Sequence, residues 1–272
     1  MLTRTPGLAL RPFVKTLWAT DPASMTPQAA ADRERVLPTG AMHFAFRLSD
    51  LPFRLFDSDS DAIGHAVGHA IVGGARLAPY VRDLSVPAPS VGAEFHPGAS
   101  QFLFGMPADA LAGRHTPLDA LWGRSADAMR ERLTEAGSAE ERLDLLESAL
   151  AARLPRLRGL HPAVAHALGC FTHTADVRAV VRQTGYSHRR FNALFVQAVG
   201  LTPKRYCRVR RFQQVLRLID ASPAASWIDV AVDCGYSDQS HFNREFREFT
   251  GMTPGEYRCI SPSRPHHVPV RR

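Results

Sequence analysis

Gly235-Tyr236-Ser237-Asp238-Gln239-Ser240-His241-Phe242-Asn243-Arg244-Glu245-Phe246, followed by Gly251 and Thr253-Pro254, decides how the second half of this chain folds, because the pattern occurs twice. The earlier copy is Gly185-Tyr186-Ser187, Phe191-Asn192, Phe195, Gly200, Thr202-Pro203 and Tyr206, the last matched by Tyr257. The offset is 50 residues through the serine and 51 beyond it, so one residue is inserted in the second copy. A repeat of this kind marks a duplicated supersecondary unit. Each copy reads as two helices around a tight turn. In the first, Thr174 or Asp176 caps a helix carrying Val177, Val180 and Val181. Gly185 supplies the positive φ that leaves that helix, and Ser187 caps the next. Phe191, Leu194, Phe195, Ala198 and Val199 recur at helical spacing and are expected to face inward. In the second copy Ala231 precedes Gly235, Ser237 is the expected cap, and Phe242, Phe246 and Phe249 face inward.

The outward faces carry the chemistry. His188, Arg189, Asn192 and Ala193 remain outside in the first copy, and Gln239, Ser240, Asn243, Arg244 and Arg247 in the second. Arg forks onto guanine, Asn and Gln onto adenine, and Ser onto either. A helix-turn-helix presents the N-terminal half of its second helix to the major groove. Arg189, Asn192, Gln239, Ser240, Asn243 and Arg244 are therefore the expected base readers, with His188, Arg190, Arg208 and Arg247 expected along the DNA backbone. A helix from Pro203 to Ile219 joins the copies and ends at Ala221-Ser222-Pro223. Its Arg208 and Arg211 fall on adjoining faces, open either to phosphate or to acidic partners.

Charge supports a polyanionic partner. From His173 to Arg272 there are 16 Lys or Arg against 8 Asp or Glu, a net of +8. The other 172 residues carry 33 − 16 = 17 basic and 26 − 8 = 18 acidic groups. The basic excess thus lies in the repeat-bearing part.

At this point a resemblance is plain. Residues 173–258 resemble the DNA-binding domain of AraC/XylS-type bacterial transcription regulators. The matching residues include Gly185-Tyr186-Ser187, Phe191, Phe195, Gly200-Leu201-Thr202-Pro203, Tyr206 and Arg211. They continue with Ile228, Ala231, Gly235 to Phe242, Arg244, Phe246, Gly251 and Thr253-Pro254. The first copy departs from the family at Val181, where Ala is favoured; Val215 does the same in the linking helix. The resemblance implies double-stranded DNA and RNA polymerase as partners. More loosely, Pro12-Phe13-Val14, Leu17-Trp18, Val36 to Gly40, Phe95 to Ala99, Gly105 to Ala108 and Leu118 to Gly123 resemble a sensor-type domain attached to some of these regulators. That implies an effector of unknown identity.

The first 125 residues themselves read as strands and turns. Met42, Phe44, Phe46 and Leu48 alternate with polar or small residues, and Ala70–Val72, Ser90–Phe95 and Gln101–Phe104 are further short apolar segments between Gly- and Pro-rich turns. Trp18, His43, Phe44 and Phe46 are the residues expected to line an effector pocket. After Gly123 two amphipathic helices are expected. They are separated by Gly137-Ser138 and carry Met129 and Leu133, then Leu143, Leu146, Leu150 and Leu154. Their leucines either pack on their own domain or pair two chains as a homodimer. The expected class is α+β: a β-rich domain (1–125), a helical connector (126–160), an all-α domain with two helix-turn-helix motifs (161–262), and an irregular tail (263–272).

Other chemistries find little support. His65 and His69 lack a third ligand nearby, Asp57, Asp59 and Asp61 lack the Gly and Glu of a calcium loop, and no nucleophile elbow, phosphate loop or HExxH occurs. No metal, cofactor or catalytic residue is expected. An enzyme housed in the N-terminal domain, with DNA binding secondary, is the rival reading. Four scattered cysteines, no apolar run of membrane length and no secretory start give the expectation of a reduced cytoplasmic protein, not bound to a membrane.

Overall fold

Alternation along His43–Arg47 and Ser90–Phe95 builds the centre of the N-terminal part, where these two strands pair antiparallel. The computed structural model describes residues 1–21, 32–154, 159–262 and 264–270. Its strands, in order, are β1 (Leu2–Arg4), β2 (Val14–Thr20), β3 (Arg33–Val36), β4 (His43–Arg47), β5 (Phe53–Phe56), β6 (His65–Gly68), β7 (Ala70–Gly73), β8 (Tyr80–Asp83), β9 (Ser90–Phe95), β10 (His115–Pro117) and β11 (His267–Pro269). They form two antiparallel sheets, one ordered β1-β2-β9-β4-β7-β10 and the other β11-β3-β8-β5-β6.

Both faces of the first sheet are covered. Phe44 and Phe46 are fully buried on one face with Val72, Val91, Ala93 and Phe95, in a core completed by helices. Ala45 and Ile71, on the opposite face, pack against Phe53 of the second sheet. The short helices are α1 (Ser100–Phe104), α2 (Ala108–Leu111) and α3 (Asp119–Trp122). Gln101–Phe104 is thus helical and not extended. Leu103 and Phe104 turn together into the core, and Trp122 Nε1 donates to the Leu103 carbonyl at 2.9 Å.

The two leucine-bearing helices are α4 (Arg124–Glu135) and α5 (Ala139–Arg153), with Ser138 capping the second. Helix α5 lies on β2 and β9. Leu133, Leu143, Leu146 and Leu150 are fully buried in the same core as Phe44 and Phe46. These leucines therefore do not form a seam for a second chain, and the helices belong to the β-rich domain, not to a free connector. The apolar stripe is occupied by the domain's own sheet.

Among the described residues seven helices follow: α6 (Pro162–Cys170), α7 (Val177–Thr184), α8 (His188–Val199), α9 (Pro203–Ala221), α10 (Trp227–Asp233), α11 (Gln239–Thr250) and α12 (Pro254–Ile260). The part of the expected connector at 155–158 lies outside the described residues. The described part of the tail, residues 264–270, contains a strand and is not irregular throughout. After α12 the chain returns to the N-terminal part, where β11 pairs with β3 through His267↔Val36, Val268↔Arg35 and Pro269↔Glu34. Val268 is buried, and His267 Nδ1 donates to Glu34 at 2.8 Å.

Candidate nucleic-acid interface

Each helix-turn-helix is set by local chemistry. Asp176 caps α7 by accepting from Ala179 N, and Gly185 leaves it at φ +73°. Ser187 caps α8 by accepting from Arg190 N. In the second copy Gly235 has φ +71°. The cap of α11, however, is the inserted Asp238, which accepts from His241 N at 2.7 Å, and not Ser237. The extra residue moves Ser237 one position back, and its hydroxyl donates instead to the Asp238 carboxylate at 2.9 Å. That carboxylate is held below its usual range by the hydrogen bond from the His241 backbone, then by Ser237.

Phe191, Phe195, Phe242, Phe246 and Phe249 are all buried, as the spacing predicts. Val181 and Val215 are buried too, so the departures from the family pattern are accommodated in the interior. His188, Arg189, Arg190, Asn192 and Ala193 are exposed on α8; Gln239, Ser240, Asn243, Arg244 and Arg247 are exposed on α11. Both copies surround a shallow hollow built from equivalent positions. The first is lined by Asp176, Arg178, His188, Asn192, Thr202 and Lys204 among others. The second is lined by Trp227, Gln239, Asn243, Arg244, Arg247 and Thr253 among others. Arg178, Lys204, Thr202 and Thr253 were not among the expected contacts. The repeated Thr-Pro that starts α9 and α12 was the signal available for two of them.

Arg208, expected along the DNA backbone, pairs with acidic groups instead: half-buried, it joins Arg211 in holding Glu245, which is only 3% exposed. Arg208 Nε donates to Glu245 at 2.7 Å and Arg211 Nη2 donates to it at 2.8 Å, while Arg208 also pairs with Glu248. Burial pushes the Glu245 carboxyl up, but the hydrogen bonds from Arg208 and Arg211 outweigh it and leave the group below its ordinary value. Acidic pairing wins because a buried carboxylate without partners is costly.

The four residues expected around an effector do not share a pocket. Phe44 and Phe46 face the helices, whereas His43, beside Ala45, and Trp18, packed over Gly92, face the second sheet. The inter-sheet layer is apolar around Trp18, Ala45, Phe53 and Ile71 and polar around His43. There His43 stacks on Tyr80, and His115 meets Tyr80 edge-on with ring centres 4.5 Å apart. Burial first, then the charges of Arg76, Arg82 and His267, push the His43 imidazole down to about 3. Among the described residues no group of three or more His, Cys, Asp or Glu is placed to hold a metal. Among them, too, no helix is long and apolar enough to cross a membrane.

Comparison with known proteins gives two family matches. Residues 180–259 match the family described as "Helix-turn-helix domain". Residues 2–117 match "Domain of unknown function (DUF6597)". The HTH-type transcriptional activator RhaS of Escherichia coli (strain SE11) is 36% identical over 88 residues, covering 32% of this chain and 31% of RhaS. YkgA of Escherichia coli (strain K12) is 30% identical over 86 residues, covering 32% of this chain and 36% of YkgA. The chain thus spans about a third of the length of these curated relatives. Among solved structures, ToxT from Vibrio cholerae aligns with a TM-score of 0.47 at 9% identity, over 83% of this chain and 93% of ToxT.

Proposed function

We propose that this chain, whose residues 180–259 form a helix-turn-helix domain of the AraC/XylS type, is a sequence-specific DNA-binding transcription regulator. In this reading its N-terminal part senses an effector. The observation that carries it is the paired outer faces of α8 and α11, equivalent position by position yet different in chemistry. Asn192 and Asn243 coincide at the offset of 51, but Arg189 matches Ser240 and Ala193 matches Arg244. Two such faces read two segments that share a contact and differ elsewhere. The preferred site is accordingly asymmetric, with its halves roughly one turn, ~10 bp, apart. Arg189 and Asn192 serve one half; Gln239, Ser240, Asn243 and Arg244 serve the other. His188, Arg190 and Arg247, with Arg178 and Lys204 at the rim of the first hollow, contact phosphate. RNA polymerase is the expected protein partner, and the cytoplasm the expected location.

The relatives named as transcription activators support this reading over an enzymatic one. Selection of bound DNA from a random library, using the full chain, tests it. The expected outcome is one enriched asymmetric motif with two blocks. Uniform recovery of all sequences, with a steep salt dependence, overturns it in favour of general DNA binding.

A further inference from the structure

The C-terminal strand β11 has two faces, and each belongs to a different part of the molecule. Side chains alternate across paired strands, so Arg35 and Leu37 share one face with His266 and Val268. That face meets the second helix-turn-helix. Leu37 and Val268 are buried in the cluster of Phe212, Phe246 and Phe249, and His266 Nε2 donates to Gln213 Oε1 of α9 at 2.5 Å. Arg35 donates to the Thr250 carbonyl at the C-terminal end of α11, a group that the helix itself leaves unpaired. Glu34 and His267 share the opposite face, where Glu34 accepts from His267 and from Arg82 of β8. The pair β3–β11 therefore joins the interior of the N-terminal sheet to the underside of α11.

This strand is held lightly. Leu37 N donates to the His266 carbonyl at 2.8 Å and Val270 N to the Arg33 carbonyl at 3.0 Å. Hydrogen-bonded pairs alternate with non-bonded ones in an antiparallel ladder, so Val36–His267 and Glu34–Pro269 are non-bonded pairs. The missing N–H of Pro269 accordingly leaves no gap in the ladder. β11 is three residues long, lies at the edge of its sheet and buries a single apolar side chain, Val268. A segment of that kind opens locally at less cost than a packed core. The turn that leads to it is strained. Ser261, at φ +45°, is the one non-glycine residue with a positive φ among the described residues. Tyr257 Oη of α12 holds the returning chain by donating to the Pro265 carbonyl at 2.7 Å. The first motif has no such dependence, because its buried residues belong to the core of the N-terminal domain.

We propose that β11 is a strap that couples the N-terminal domain to DNA reading by the second motif alone. Seated on β3, it closes the core beneath α11. Unseated, it loosens α11 and the part of α9 that carries Phe212 and Gln213, while the first motif keeps its hold. This rests on the reading of α8 and α11 as base-reading helices. A disulfide between Val36→Cys and His267→Cys tests it in the full chain, since the Cα atoms of a non-bonded antiparallel pair lie about 4.5 Å apart, within disulfide reach. The disulfide is combined with Val268→Asp, which puts a carboxylate into the apolar cluster and unseats the strand. Reduced, the triple variant is expected to bind the selected DNA site at least about tenfold more weakly, with base preference lost in the block of Asn243 and Arg244 and kept in that of Arg189. Oxidised, it is expected to regain most of both. With Val268 intact, the double-cysteine chain should bind within about twofold of the unaltered chain in either state. Hydrogen exchange without DNA supplies a second reading: protection of α11 in the triple variant should be low when reduced and return on oxidation, with α8 constant. The unaltered chain under the same oxidant controls for Cys170 and Cys259. Identical behaviour of the oxidised and reduced triple variant, equal loss in α8, or loss of DNA binding when the strap is locked overturns the proposal. The exchange measurement uses no DNA, so a chain that selects no sequence refutes the regulator while exchange still decides the strap.

Discussion

The two helix-turn-helix copies share a pattern but are fastened to the rest of the molecule in different ways. The first has no core of its own. Val180, Val181, Phe191, Phe195 and Val199 belong to one continuous apolar cluster with Phe44, Leu146 and Trp122 of the N-terminal domain. Gly200, at φ +83°, sits against Ala108 and Ala75, where an added Cβ would stand 3.0 Å from the Ala108 carbonyl oxygen. The second closes a separate cluster around Phe212, Phe242, Phe246 and Phe249. Its ties to the N-terminal domain are few and largely polar. Gln213 donates to the Pro38 carbonyl at 2.8 Å and accepts from His266, and Arg35 donates to the Thr250 carbonyl at 2.9 Å. Leu37 and Val268 add a small apolar patch. One position condenses the difference: Leu194 in the first copy corresponds to Glu245 in the second. Apolar burial fixes the first motif to the core of the N-terminal domain, whereas mainly polar contacts hold the second. An effector signal is expected to act on the second motif.

The largest expected effect breaks the shared core. Leu146→Ala should cost about 2–5 kcal/mol by loss of contacts and an unfilled cavity. Hydrogen exchange should show protection falling together in β2, α5 and α8, with α11 less affected. Equal loss in α8 and α11 would mean that the two clusters act as one. Next, Glu245→Gln leaves Arg208 and Arg211 without their carboxylate and should cost about 3–5 kcal/mol. Denaturation monitored in α11 and α8 should place that loss in the second motif.

These contrasts show what could be read from sequence alone. The repeat, the exposed faces of α8 and α11 and the leucine helices were legible because each depends on spacing within one element. The tail strand was not, since His267-Val268-Pro269 is short, contains proline, and gains its meaning only from β3, over two hundred residues earlier. The leucine stripe announced burial without saying against what. The cap at Asp238 was visible as the inserted residue, but Ser237 matched the repeat better. The cluster of His43, Arg76, Tyr80 and His115 was hidden because these residues come from separate segments, and periodicity says nothing of which polar residues two sheets bring together.

A pH dependence should separate the inter-sheet layer from both helical motifs. His43 is held down to about 3, and His115 down to about 2 by burial and then by Arg76. Unfolded, each titrates near ~6.5, so below that value the unfolded chain binds more protons. Stability should be level above about pH 6.5 and fall as pH drops toward the folded values. Glu34 adds to the decline below its ordinary value of 4.5, toward about 2. His43→Gln should make the slope shallower by up to about 1.4 kcal/mol per pH unit in thermal unfolding. An unchanged slope would contradict the assignment of buried neutral histidines. The smallest effect is expected at the tether: Gln213→Ala should cost about 1–2 kcal/mol and raise exchange in β11 while leaving α8 unchanged.

The central claim is that both motifs read bases and read them differently. Binding-site profiles of Arg189→Ala and Arg244→Ala against that of the unaltered chain test it most directly. Each substitution should relax preference at a single base position and cost about 1–3 kcal/mol, with the two positions about one helical turn apart. A uniform loss of affinity for Arg189→Ala with an unchanged profile would contradict it, and would make the first motif an anchor on the DNA backbone.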